Sequence, residues 1–297
     1  MVKTLSQLET EQINPDTVNI DSLTSLEIVK KINSEDKKVA LAVEKALPQI
    51  AEAAEIAAQR LKAGGRLIYI GAGSSGRLGV LDAAECPPTF GTDPSQIVGL
   101  ISGGLETLTL SKEGAEDHTD WAIEDLKQIN LHKNDFLIGL AASVQTPYTL
   151  AGIEYGISIG CKTGLIVCNR AELLKIKPDI LIELAVGPEV ITGSTRMKSG
   201  TAQKMVLNMI STTAMILMGK TYGNLMVDLQ ARSEKLAARS RKILMEFLKI
   251  DYHDADQLLQ SAGGSVKTAL VMKKLSITRD EAERRLAQVD GFLRQLI

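Results

Sequence analysis

The sequence has few aromatic residues, few cysteines and almost no net charge, and each shortage argues against a class of function. Aromatic residues make up 3% of the 297 residues, too few for a surface on which nucleic-acid bases stack. A formal net charge of -2 argues against general DNA binding. The three cysteines, Cys86, Cys161 and Cys168, show neither zinc-site spacing nor an even disulfide framework. We therefore expect no nucleic-acid partner and a reducing compartment.

Long apolar runs and grouped histidines are missing as well. No stretch is long enough to span a bilayer, and residues 1–12 lack the apolar core of a secretory signal. The histidines, His118, His132 and His253, are too scattered to suggest a metal site. The sequence thus predicts a cytoplasmic protein with no metal and no membrane partner.

Short apolar segments alternate with helical patterns through the first two thirds of the chain. Helical patterns come first, at residues 21–32 and 35–62, and residues 1–20 are polar and predicted to lie on the surface. The strand candidates are residues 67–70, 97–101, 136–141, 163–168 and 180–184. Helical patterns at residues 77–84, 112–129 and 147–159 lie between most of them. This order predicts an α/β fold whose parallel sheet is covered by helices on both faces, with ligands beyond the carboxyl ends of the strands.

The last third of the chain reads as entirely helical. Residues 198–218 and 228–248 are predicted to form long helices, and residues 254–297 two or three shorter ones. We accordingly expect a main domain over residues 1–250 and a small helical module over residues 251–297.

A glycine- and serine-rich loop follows the first predicted strand. It contains Gly73, Ser74, Ser75 and Gly76, and Arg77 comes next. Glycines allow a tight turn, and the free N–H groups at a helix start, with two hydroxyls, suit a phosphate. A dinucleotide site and a purely structural turn are the alternatives. A dinucleotide site requires an acidic residue at the end of the next strand, which is absent here.

Two further loops carry hydroxyl groups at predicted strand ends. Ser143 and Thr146 precede Pro147 and either cap the following helix or hold ligand oxygens. Ser194 and Thr195 stand with basic residues before the long helix at residue 198, where the helix dipole favours anions. The alternative for this third loop is a capped helix with solvated charges.

Two carboxylates are candidates for acid/base chemistry. Glu85 is predicted to end a helix, because Pro87 disfavours the helical conformation of the residue before it. The helix dipole disfavours a negative charge at that end, which favours a functional role for Glu85. Nine residues of helix rise about 13 Å, so Glu85 is far from Gly76 unless the helix is shorter or another subunit completes the site. Glu116 is predicted in the first turns of the next helix, where acidic residues normally complement the helix dipole.

Three longer segments resemble one family. The runs IGAGSSGRLGVLDAAECPPTFG, VGPEVITGSTRMKSGTAQKMVLNMIST and GNLMVD closely resemble N-acetylmuramic acid 6-phosphate etherases of the sugar isomerase (SIS) superfamily, to which the glucokinase regulatory protein is related. The resemblance runs through the whole chain. It implies a five-stranded parallel SIS sheet, a homodimer, a phosphorylated amino-sugar substrate, and no metal or nucleotide cofactor. It also implies cleavage of the D-lactyl ether during recovery of cell-wall sugars.

The resemblance assigns roles to individual residues. It implies that Glu85 is the proton donor and Glu116 the second acid/base carboxylate. It places the phosphate near a set of serines and threonines, namely Ser74, Ser75, Ser143, Thr146, Ser194 and Thr195. The chain departs from the family at AASVQTPY, where the family reads AASGRTPY. Val144 brings a Cβ to a position that is expected to need glycine's conformational freedom. Gln145 removes an arginine charge that could neutralise phosphate, so reduced activity or affinity is expected.

Three other functions fit parts of the pattern less well. A non-catalytic sugar-phosphate sensor on the same fold needs no pair of carboxylates, yet both Glu85 and Glu116 are present. A SIS-type transcription regulator needs a basic helix-turn-helix segment, which the sequence lacks. A nicotinamide-dependent dehydrogenase needs the ribose-binding acid that is absent after the second strand.

Overall fold

The computed structural model describes residues 8–170, 172, 174–229 and 234–297. Two compact units are formed. The first comprises the chain up to Ala83 together with Ser95–Ser211, and the second comprises Ala84–Pro94 and Thr212–Ile297. Residues 1–7 of the predicted surface segment and residues 230–233 of the predicted helix at 228–248 lie outside the described residues.

Two long α-helices precede the sheet within the described residues. Helix α1 spans Ser25–Glu44 and helix α2 spans Leu47–Lys62. The sequence predicted an interruption near residues 33–34, but α1 continues through them, and the break falls at residues 45–46. Pro48 stands in the first turn of α2, where a missing backbone N–H costs no helical hydrogen bond.

The five predicted strands are confirmed and form one parallel sheet. They are β1 (Leu67–Gly71), β2 (Ile97–Ile101), β3 (Phe136–Leu140), β4 (Lys162–Val167) and β5 (Ile180–Glu183), in the order β2-β1-β3-β4-β5. Every residue of β1 and β3 is buried, which explains their uninterrupted apolar sequence. Gly71 pairs with Ile101 on one side and Leu140 on the other. The loops after β2, β1 and β3 therefore start side by side.

Four longer helices accompany the sheet. They are α3 (Gly73–Phe90), α4 (Thr119–Gln128), α5 (Pro147–Ser158) and α6 (Lys198–Leu217). Glycines bring α3 close to the end of β1, since a Cβ at Gly76 would lie 2.5 Å from the carbonyl oxygen of Gly71. A Cβ at Gly79 would lie 2.9 Å from the Cβ of Tyr69. Side chains at either position would force the helix away from the sheet.

Helix α3 is longer than predicted in both directions. It starts at Gly73 and runs through Pro87 and Pro88 to Phe90. Each proline forgoes one backbone hydrogen bond, but the last turn closes through the N–H of Gly91 and the carbonyl of Pro87, 2.9 Å apart. The prediction that Glu85 ends a helix is therefore wrong, and so is the dipole argument based on it, because the dipole acts mainly within the last turn.

In the described part of the second unit, the regular structure is helical apart from one small hairpin. Strands β6 (Thr221–Tyr222) and β7 (Leu225–Met226) pair antiparallel, and the described helices are α7 (Glu234–Leu248), α8 (Tyr252–Ser261), α9 (Val266–Leu275) and α10 (Arg279–Gln288). The sequence did not predict the hairpin, since strands of two residues show no alternation. Leu244 of α7 shares an apolar cluster with Ala255 of α8 and Leu270 of α9. The prediction divided the chain at residues 250 and 251, whereas the compact units divide at Ser211 and Thr212.

No helix in the described part of the chain combines the length and apolar character needed to cross a membrane.

Candidate active site

The glycine loop after β1 is shorter than the sequence suggested, because its residues already belong to helix α3. Gly73 is the first helical residue, with a φ of +52° that favours glycine. Ser74 is half-buried, and the N–H of Gly76 donates to the carbonyl of Ala72 at 3.1 Å. The N-terminal turn of α3 thus stands directly at the carboxyl end of the central strand β1.

The two serines of this turn face different surroundings. Ser75 is buried, and its hydroxyl donates to Oε1 of Gln203 in α6 at 2.9 Å. This hydrogen bond ties α3 to α6 and engages the hydroxyl that was predicted to hold phosphate. Ser74 instead lines an open cavity. Of the pair, Ser74 is the serine available to a ligand.

Glu116 lies in the loop before α4. The sequence predicted a helix over residues 112–129, but Gly114 has a φ of +75° and a short 3₁₀ turn, Ala115–Asp117, follows it. Helix α4 begins only at Thr119. The side chain of Glu116 is exposed.

Glu116 and the start of α3 line the same cavity, of about 320 Å³. Its polar wall also includes Arg77, Ser102 and Lys112. The hydroxyl of Ser102, the first residue after β2, donates to the carbonyl of Ala115 at 2.6 Å and so fixes the turn that carries Glu116. Two of the predicted site residues, Gly73 and Glu116, therefore line one cavity at the carboxyl ends of the strands.

Arg77 borders two cavities and is held in place. Its Nε donates to the carbonyl of Leu108 at 3.1 Å, and its Nη2 donates to the carbonyl of Thr107 at 2.6 Å. The second cavity, of about 410 Å³, lies between α3 and the start of α6, and we call it the α3–α6 groove. Its lining consists of Ser74, Arg77, Leu78, Leu81, Arg196, Gly200, Thr201 and Lys204.

The loop after β3 forms a local turn. The hydroxyl of Ser143 accepts a hydrogen bond from the N–H of Gln145 at 3.2 Å and lies 3.4 Å from the hydroxyl of Thr146. Thr146 is the N-cap residue of α5, but its side chain makes no capping hydrogen bond. The predicted capping of α5 by these two side chains is thus not found.

Val144 fits this loop without strain. Its side chain is 1% exposed and belongs to an apolar cluster with Tyr148 and Ile153. It is not among the described non-glycine residues with positive φ. The expectation that this position needs glycine's conformational freedom is therefore wrong for this chain.

The third loop already contains an internal anion. Glu189 is fully buried, and its carboxylate accepts from the N–H groups of Lys198 and Ser199 at 3.0 and 2.9 Å and from the Ser199 hydroxyl at 2.8 Å. The N-terminus of α6, predicted to attract a ligand anion, is thus occupied by this carboxylate. Ser194 and Thr195 lie half-buried in the turn before it.

Lys198 is part of the scaffold. Its Nζ lies 2.6 Å from Oε2 of Glu35 in α1, and the two side chains are 1% and 3% exposed. Burial alone would raise the pKa of Glu35, but hydrogen bonds from Lys198 and Lys38 outweigh it and lower the pKa to about 2. Glu35 is thus held as a carboxylate, and its ion pair with Lys198 joins α1 to the start of α6.

The N-terminal segment, residues 8–17, is hydrogen-bonded to the loops that follow β4 and β5. The N–H of Thr10 donates to Oδ1 of Asn169 at 3.2 Å, and Nδ2 of Asn169 donates to the Thr10 hydroxyl at 3.0 Å. The hydroxyl of Thr17 donates to the carbonyl of Val190 at 2.9 Å. The loops after β4 and β5 are therefore held by a distant part of the chain.

Asp82 is a buried carboxylate that the sequence reasoning missed. It accepts hydrogen bonds from the Tyr69 hydroxyl at 3.0 Å, from Nδ2 of Asn208 at 2.8 Å and from the Ser211 hydroxyl at 3.1 Å. Burial raises its pKa, although these hydrogen bonds oppose the shift. Asp82 locks the middle of α3 to β1 and α6. A carboxylate within the otherwise apolar helical face VLDAA was the only signal for it.

Glu85 is exposed and belongs to the second unit. The continuous helix α3 places it about 13 Å beyond Gly76 along the helix axis. The shorter helix considered from the sequence is therefore excluded, and completion of the site by another subunit stays a prediction.

Comparison with known proteins adds four findings. The family model of the glucokinase regulatory protein N-terminal SIS domain matches residues 49–157. The N-acetylmuramic acid 6-phosphate etherase of Rhodopirellula baltica is 52% identical and covers 100% of this chain and 98% of its own. The etherase of Clostridium beijerinckii is 51% identical, with coverage of 97% and 95%. A solved structure from Bacteroides fragilis, assigned as a phosphosugar isomerase involved in capsule formation, shares the fold at a TM-score of 0.51 and 18% identity, covering 73% of this chain and 97% of its own.

Proposed function

The chain belongs to the N-acetylmuramic acid 6-phosphate etherases, and on this premise we propose how its residues carry out the reaction. The substrate is N-acetylmuramic acid 6-phosphate, and the products are N-acetylglucosamine 6-phosphate and D-lactate. The observation that carries the assignment is identity of about half over the full length of the curated relatives. Within the structure, the cavity shared by Gly73 and Glu116 supports it.

The chemistry proposed is an elimination followed by addition of water, which makes the enzyme a lyase. In the ring-opened sugar the C2 proton is acidic, because it lies next to the C1 carbonyl. Glu116 removes this proton, and the bond between C3 and the lactyl oxygen breaks as Glu85 protonates that oxygen, so D-lactate leaves. Water then adds at C3 of the unsaturated aldehyde. One carboxyl group must be ionised while the other holds a proton, and this requires different surroundings for the two.

The phosphate end of the substrate is assigned to the N-terminal turn of α3 and the neighbouring loop after β3. Gly73 and Ser74 offer backbone N–H groups and the Ser74 hydroxyl. The N–H of Gly76 already donates to the carbonyl of Ala72 and joins them only if it gives up that hydrogen bond. Ser143 and Thr146 follow the adjacent strand, since Gly71 of β1 pairs with Leu140 of β3. Ser75 joins them only if it gives up its hydrogen bond to Gln203. Ser194 and Thr195 belong to the more distant edge of this site.

We further propose that the enzyme acts as a homodimer in the cytoplasm, in the recovery of cell-wall amino sugars. The rise of α3 between Gly76 and Glu85, about 13 Å, supports a site that combines residues of two subunits. Cys86, Cys161 and Cys168 are buried and form no disulfide within the described residues, which suits a reducing compartment.

The test is release of D-lactate from N-acetylmuramic acid 6-phosphate, measured with purified wild-type protein and with Glu116→Gln and Glu85→Gln. We expect release by the wild type and a loss of at least about 100-fold in kcat in each variant, the usual scale for a general acid or base. Glu52→Gln replaces an exposed glutamate of α2 and serves as the matched control. Binding of the sugar phosphate by wild type without any D-lactate would refute the etherase and favour a sensor.

A further inference from the structure

The α3–α6 groove carries three positive charges and no negative one. Arg77, Arg196 and Lys204 line it, and none of the lining residues is acidic. Arg77 is fixed by two carbonyl groups. Within residues 8–170, 172, 174–229 and 234–297, Arg196 and Lys204 form no salt bridge and donate no hydrogen bond. Their charges are therefore available to an external anion.

The anion sites next to the groove are already filled from within. The carboxylate of Glu189 caps α6, and Glu35 pairs with Lys198. Glu189 accepts hydrogen bonds from the first N–H groups of α6, and Glu35 pairs with the ammonium group of Lys198, so the two glutamates fix the start of α6. Arg196 lies two residues before that start and Lys204 about two turns into the helix, so both stand on a rigid frame. The charge of Lys204 also acts on the buried carboxylate of Asp82, but neither cation forms an ion pair with a described residue.

The groove also has an apolar side. Leu78 and Leu81 line it one turn apart on α3, and Leu81 is 51% exposed. An exposed leucine beside three cations suits a small anion that carries an apolar group. A phosphate group has no such surface, whereas a lactyl group combines a carboxylate with a methyl group.

We propose that the α3–α6 groove binds the lactyl part of the substrate, with its carboxylate on Arg196 and Lys204 and its methyl group on Leu78 and Leu81. The proposal rests on the proposed function and adds to it a determinant of specificity. Arg196 supplies paired donors that match a carboxylate, and Lys204 adds a point charge. The groove thereby distinguishes the substrate from its own product, which has the same phosphate but no lactyl group.

The test compares two ligands that differ only in this group. Dissociation constants for N-acetylmuramic acid 6-phosphate and N-acetylglucosamine 6-phosphate are measured by calorimetry in the Glu116→Gln background, so that the substrate is not consumed. Adding Arg196→Gln or Lys204→Gln is expected to weaken binding of the first ligand about tenfold, the worth of one hydrogen bond to a charged group. Binding of the second ligand is expected to change less than about twofold, by the same reasoning.

Three comparisons make the result decisive. Lys30→Gln removes a charge from an exposed position of α1 and is expected to affect neither ligand. Arg196→Lys keeps the charge and is expected to restore part of the lost affinity. Equal losses for both ligands would overturn the proposal and place the phosphate in the groove, and no loss for either would overturn it as well.

The active enzyme provides an independent measurement. With Glu116 intact, Arg196→Gln is expected to raise KM for the substrate about tenfold and to leave the inhibition constant of N-acetylglucosamine 6-phosphate unchanged. A wild-type protein that releases no D-lactate would instead refute the proposed function. The two failures are therefore distinguishable.

Discussion

Replacing Lys198 by methionine is expected to destabilise the first unit by about 3–5 kcal/mol, the usual cost of removing one partner of a buried ion pair. The partner left behind is Glu35, whose side chain is 3% exposed. Methionine keeps most of the volume of lysine, so the loss reports the charge rather than a cavity. The second lysine on Glu35, Lys38, is 51% exposed and compensates only in part.

The pKa of Glu35 gives a second way to obtain the size of this contribution to the free energy of unfolding. A shift from 4.5 to about 2 corresponds to about 3 kcal/mol at roughly 1.4 kcal/mol per pKa unit. Because the folded-state pKa is the lower one, this stabilisation is present above pH 4.5 and is lost as the pH falls through about 2.

The assay is urea unfolding followed by circular dichroism, at pH 7 and at points down to pH 2. Lys38→Met is the matched control, since it removes a half-exposed partner of the same carboxylate and is expected to cost at most about 1 kcal/mol. The double variant Glu35→Leu with Lys198→Met is expected to lose less than Lys198→Met alone, because no unpaired charge remains. Equal losses in Lys198→Met and Lys38→Met would refute the reasoning.

Four further predictions concern the loops around the sheet edge and the start of α3. Gln145→Arg is expected to lower KM severalfold by adding a cation near the proposed phosphate end; steady-state kinetics tests this, and a higher KM would contradict a ligand role for this loop. Val144→Gly is expected to cost about 2–4 kcal/mol of stability in urea unfolding, because Val144 fills the core. Glu189→Gln is expected to cost about 1–3 kcal/mol in urea unfolding, since an amide oxygen accepts more weakly than a carboxylate from the start of α6; an unchanged midpoint would count against the cap. Gly76→Ala is expected to lower the melting temperature by several degrees, because its Cβ would lie 2.5 Å from the Gly71 carbonyl oxygen; Gly200→Ala, whose Cβ has ordinary contacts, is the control.

The strands and most helices could be predicted from the sequence because their signals are local. Each strand is a short apolar run, which is the sequence pattern expected of a strand that is buried on both faces of a parallel sheet. The helix ends were harder. Pro87 predicted a stop that the structure does not have, and the interruption predicted at residues 33–34 is absent from α1. Gly114, the left-handed residue that precedes the 3₁₀ turn Ala115–Asp117, was missed within a helical pattern.

The sequence predicted some residues of the candidate site but not the buried carboxylates around it. The glycine turn and Glu116 were expected in separate elements, and the strand order brings them to one cavity. The buried carboxylates were not foreseen, because their partners are set by the tertiary structure. Asp82 meets residues 126 and 129 positions away, and no local pattern reports such a contact.

The hydrogen bonds of the N-terminal segment bear on the order in which the protein folds. Thr10 and Thr17 meet partners 159 and 173 residues later in the chain. During synthesis the segment leaves the ribosome long before Asn169 and Val190 exist, so it has nothing to dock on. Contacts of such long sequence separation form late, since the chain must first close a large loop. We therefore expect these contacts, and with them the final conformation of the loops after β4 and β5, to form among the last events of folding.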